Sequence, residues 1–96
     1  MLRDLTEVFL EEYPKCLVAI HEGLETQEMA QVRRAGHTLK GSLGHFMAKG
    51  PAAAALQVET LAAAGHAGAL AEAVQVLEAQ LEPLAPALRA LDVRPA

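Results

Sequence analysis

The chain has 96 residues, of which 52% are hydrophobic, with a formal charge of −4 and one cysteine. That describes one small domain with a core to bury, and it excludes an internal disulfide and a cysteine-built zinc site. The acidic balance argues against a nucleic-acid binder, and there is neither a signal-peptide pattern nor an apolar run near the ~20 residues of a membrane span. A reducing, cytoplasmic setting is the expectation.

The apolar residues repeat at helical spacing throughout, and alternating runs bounded by turns are missing. Asp4 with Glu7 forms a capping-box-like start, and Leu5, Val8 and Phe9 give a first short helix its apolar side. Pro14 suits the first turn of a second helix, which carries Leu17, Ile20 and Leu24 and stops near Gly23. Thr26 is an N-cap candidate for a third helix bearing Met29, Val32, Leu39, Leu43 and Phe46, ended by Lys49 and Gly50. Pro51 opens a fourth helix that runs to Gly65. After Gly68, Leu70, Val74, Leu77, Leu81, Leu84, Leu88 and Leu91 alternate steps of four and three, a seam for packing on other helices. Pro83 and Pro86 interrupt it, which predicts a kink or a fresh short helix there. Short connections favour antiparallel neighbours. The fold expected is all-α: an antiparallel up-down four-helix bundle with a short extra N-terminal helix. It would form a single domain over residues 1–96, with a core of about 2–82 and a proline-interrupted extension over 83–96.

The stretch AGHTLKGSLGHF, residues 35–46, spends three glycines inside a helix, each costing roughly 1 kcal/mol relative to alanine. At 100° per residue, His37 points away from the apolar side made by Val32, Leu39, Leu43 and Phe46. Around it fall Ala30, Arg33, Arg34, Lys40, Gly41, Gly44 and, at the margin, His45. The surface is a histidine ringed by positive charge and small residues, suited to an anion and to the close approach of another protein. Four histidines, His21, His37, His45 and His66, include no pair at i,i+3 or i,i+4, so no metal site is expected. No P-loop, kinase signature or magnesium-binding carboxylate cluster is visible either.

His37-Thr38-Leu39-Lys40-Gly41-Ser42 resembles the signature of histidine phosphotransfer (HPt) domains of bacterial multi-step phosphorelays. FLEEYPKCL before it, LGHFMA after it and LQVETLA on the next helix extend the resemblance over roughly residues 2–80. The resemblance implies a four-helix bundle whose exposed histidine takes a phosphoryl group from a receiver-domain aspartate or a histidine kinase and passes it to a response-regulator aspartate. It implies His37 as acceptor through Nε2, Glu59 as the partner that orients the imidazole, and Lys40 as a contact to the phosphoryl group or the receiver. Docking would involve Gly41, Gly44, Arg33, Arg34, His45 and Ala48. The domain would be a phosphocarrier without a cofactor of its own, magnesium being supplied by the partner receiver domain. A monomer is expected, with no nucleic-acid or membrane partner. Gly36, where the family most often has alanine, would loosen the helix slightly without touching the chemistry. The alternatives are an adaptor that binds receiver or kinase domains without carrying phosphate, and a bundle that dimerises through the seam.

Overall fold

The computed structural model describes residues 5–46 and 48–92, apart from the side chains of residues 5 and 89–92. Asp4 of the expected capping box and the Leu5 and Leu91 side chains lie outside the described residues. Among those described, all regular structure is helical: α1 Leu5–Thr26, α2 Met29–His45, α3 Lys49–Ala64, α4 Ala67–Leu81 and α5 Leu84–Asp92. Successive long helices pack on one another, α1 on α2, α2 on α3 and α3 on α4. The connections are too short for anything but antiparallel neighbours.

The separate short helix expected ahead of Pro14 does not exist. Pro14 lies inside the 22-residue α1. Phe9, Tyr13, Cys16, Leu17, Ile20 and Leu24 form one unbroken helical stripe on the core, passing straight through the proline. Phe9 stacks on Tyr13 one turn away, ring centroids 5.2 Å apart, and meets Phe46 of the α2 C-cap edge-on at 5.4 Å. That continuous burial outweighs the one backbone hydrogen bond a proline removes. Gly23 likewise does not end the helix; it is buried where α2 crosses, and a Cβ there would stand 2.6 Å from Val32 Cγ2. The extra short helix sits at the other end of the chain, as α5 after Pro83, where the prolines called for a break.

Thr26 does not cap α2 either. Its hydroxyl donates back to the Glu22 carbonyl at 2.9 Å, and α1 closes with the Glu28 amide donating to the Gly23 carbonyl at 2.8 Å. This is a Schellman-type end with Gln27 in the left-handed position at φ 59°. Gly65 does the same job for α3 at φ 75°, with the His66 amide on the Leu61 carbonyl. Lys49 and Gly50 open α3 rather than closing α2, which ends at His45. Pro51 then falls in the first turn, where no helical N–H is needed.

Ile20, Val32, Leu39, Leu43, Val58, Leu70, Val74 and Leu77 are fully buried. A large aliphatic side chain so placed contributes about 1.5–3 kcal/mol each by burial. The seam on α4 faces its own bundle through Leu70, Val74, Leu77 and Leu81, and α5 continues it with Leu88. Gln31 Nε2 donates to the Ala19 carbonyl at 2.8 Å across α1 and α2, while His21 and Glu78 meet at 3.1 Å across α1 and α4. The left-handed position at Gln27 costs a non-glycine residue about 1–2 kcal/mol. Gln27→Gly is therefore expected to raise the urea midpoint by a stability gain of roughly 1 kcal/mol, with the unfolding slope unchanged.

Candidate functional site

His37 stands on the outer face of α2 with its side chain 65% exposed. The sequence turns it outward because Val32, Leu39 and Leu43 claim the opposite face for the core. Glu59 comes from α3, next to the buried Val58, and its side chain is only 18% exposed. The two meet directly, His37 Nδ1 to Glu59 Oε2 at 2.9 Å. Lys40, one turn after His37, reaches the other oxygen, with Nζ 2.9 Å from Oε1. One carboxylate thus bridges two side chains of the neighbouring helix.

The electrostatics settle which atom carries the proton. Lys40 beside it, and secondarily the hydrogen bond with His37, hold the Glu59 carboxyl below its ordinary value of 4.5 against the opposing effect of desolvation. Oε1 is shut off from water, and the Lys40 ammonium at 2.9 Å is what compensates it. An ionised carboxylate only accepts hydrogen bonds. Nδ1 of His37 must then be the donor, and the neutral ring keeps its lone pair on Nε2, which has no partner among the described residues. Nε2 therefore lies on the exposed side of the ring, while Nδ1 is engaged from behind by Glu59.

The surroundings divide into two sides. On α2, Arg33, Arg34 and Lys40 are the charged residues, with no carboxylate among them. Arg33 and Arg34 are exposed, and Arg34 borders a shallow groove against α1 with Lys15, Cys16, Gln31 and Thr38. His45 lies toward α1, beside Glu12, Ser42 and Phe46, and not against His37. Gly41 and Gly44 are open: a side chain added at either would meet no atom within 4 Å. Gly44 joins Ala48, Lys49 and Ala52 in a shallow apolar depression between the end of α2 and the start of α3.

Two features escaped the sequence reading. Leu56, three residues before Glu59 on α3, is 47% exposed, and nothing in an alanine-rich run marks it as outward-facing. Gly36 is not a loosened turn but a buried contact against the α3 backbone at Ala55 and Glu59. Its phase, about 100° from His37, was readable in the sequence, but the distance to α3 was not.

A family model described as the Hpt domain matches residues 4–90 of the 96. The chain belongs to the Hpt domain family. Hpt domains are phosphocarrier modules of phosphorelays and work with receiver domains or kinases. No curated protein and no solved structure matches the chain. No helix among the described residues is long and apolar enough to cross a membrane.

The Glu59 carboxyl binds its proton less readily in the folded chain than in the unfolded one. Its contribution to stability is therefore present above pH 4.5 and is lost as the pH falls through its lower folded value. In urea titrations between neutral and acid pH, the stability difference between wild type and Glu59→Gln should shrink below 4.5. A gap that stays constant to low pH would show that the ion pair is not what holds the carboxyl ionised.

Proposed function

We propose that His37 is the phosphoryl acceptor of a phosphorelay carrier, taking the group from a receiver-domain aspartyl phosphate or a histidine kinase and passing it to a response-regulator aspartate. The observation that carries this reading is the Nδ1-to-Glu59 contact at 2.9 Å on an otherwise exposed ring. The Nε2 lone pair attacks phosphorus, the N–P bond forms, and the P–O bond to the donor aspartate breaks with its electrons leaving on the carboxylate. Nδ1 keeps its proton throughout, so the phosphorylated ring is an imidazolium. Glu59 lies where that positive charge develops, and its electrostatic stabilisation does not have to be assembled during the step. Onward transfer is the same sequence in reverse, which suits a carrier.

Lys40 has a double part in this reading. Its ammonium keeps Glu59 ionised while the site is empty and lies one turn from His37, within reach of the phosphoryl oxygens or the acidic pocket of a docked receiver. Gly41, Gly44 and Ala48 provide the flat ground on which the partner rests, extended by the exposed Leu56, while Arg33 and Arg34 supply attraction from the flank. His45, facing α1, borders that surface and takes no part in the transfer. Magnesium belongs to the receiver partner, and the carrier itself works as a cytoplasmic monomer without cofactor.

Phosphotransfer from a panel of phosphorylated receiver domains tests the assignment. His37→Gln should abolish acceptance on a folded protein, and Glu59→Ala should slow it on the order of 10-fold without eliminating it. Full acceptance by His37→Gln would overturn the assignment.

A further inference from the structure

Gly36 precedes the acceptor on α2 and is buried. A Cβ built on it would stand 3.2 Å from the backbone nitrogen of Glu59, 3.3 Å from Val58 Cγ1 and 3.4 Å from the Ala55 carbonyl oxygen. Two of these three neighbours are α3 backbone, which cannot rotate away as a side chain can. The missing methyl therefore lets α3 come closer to α2 than an alanine at this point would allow. This tight contact falls beside the two residues that matter, one position from His37 on one helix and at Glu59 itself on the other.

We infer that Gly36 is a positioning residue for His37, acting through Glu59 by setting the gap that the carboxylate must span. The inference rests on the reading of His37 as acceptor, and its mechanism is geometric. The Glu59 carboxylate holds His37 at 2.9 Å with one oxygen and Lys40 at 2.9 Å with the other. Both partners belong to α2, so any widening of the helix pair stretches both contacts together. A few tenths of an ångström moves a 2.9 Å contact to about 3.2 Å, the outer edge of ordinary N–H···O geometry. Widening would also admit water to Oε1, which is sealed from it as the helices stand. Water there would compete for the charge that Lys40 supplies.

The observable is the tautomer of His37, read by long-range proton–nitrogen NMR on the full chain at about pH 8, where an ordinary imidazole is mostly neutral. Wild type, Gly36→Ala, Glu59→Ala and the double variant are compared. Alanine favours helix, so Gly36→Ala is expected to fold. It should lower the ratio of the Nδ1-protonated to the Nε2-protonated ring by roughly two- to tenfold, the lower part of the coupling between residues in contact. Added to Glu59→Ala, it should change the ratio no further. An unchanged ratio in Gly36→Ala, or an equal shift in both backgrounds, would reduce Gly36 to a packing residue. If Gly36→Ala does not fold, the comparison is made with Val58→Ala added, which removes the Cγ1 contact and leaves the backbone contact with Glu59. No phosphate enters this measurement, so its failure is distinct from a failure of His37 to accept a phosphoryl group.

Discussion

A single ionised carboxylate, sunk between two helices and shared by an imidazole and an ammonium, is the constraint on which the rest of this molecule turns. Burying Glu59 costs desolvation, and Lys40 offsets it at Oε1 while His37 satisfies Oε2. Remove the lysine charge and Oε1 loses the group that offsets its desolvation, so the carboxyl holds its proton more readily than it does now. The exposed side of the ring keeps the lone pair because the hidden side is committed as donor. A surface histidine alone would have neither a fixed orientation nor a defined nucleophilic atom.

Such a bridge needs two helix backbones held in close, constant register, and the composition of the chain supplies that. The α2–α3 contact is made of small groups, with Gly36 against Ala55 and the Glu59 amide, while Leu39, Leu43 and Val58 lie buried in the core alongside. Bulky aliphatic residues are concentrated on α4 and its continuation, where Leu70, Leu77, Leu81 and Leu88 fill the volume behind. Small residues where two backbones must meet and large ones where a core must be filled are a division of labour that close packing enforces. Gly41 and Gly44, by contrast, have nothing near them, so their smallness serves the surface and not the fold. The three glycines of one helix thus answer to two different demands.

Much of this was readable from residue order. Helical periodicity located α2, α3 and α4, and the phase of His37 against Val32, Leu39 and Leu43 placed it outward. The resemblance to the Hpt family, rather than periodicity, named Glu59 as the partner that the structure brings to 2.9 Å. The misreadings occurred at punctuation. Pro14 and Gly23 are ordinarily helix breakers, yet α1 runs through both because its apolar stripe stays continuous and Gly23 is needed where Val32 crosses. Thr26 carries the chemistry of an N-cap but bonds backward to Glu22, because the turn is made by Gln27, a residue with no special liking for the left-handed region. The contact at Gly36 was invisible for a different reason. Helical phase gives direction, whereas the approach of a second backbone is a tertiary distance that no local pattern encodes.

The most direct test is to phosphorylate the full chain from a receiver domain and determine by phosphorus and nitrogen NMR which atom bears the group. A single phosphohistidine at His37, bonded through Nε2 with the proton still on Nδ1, is the expected result. A phosphoryl group on Nδ1 of His37, or on His21, His45 or His66, would contradict the account, because Glu59 would then not be choosing the nucleophile.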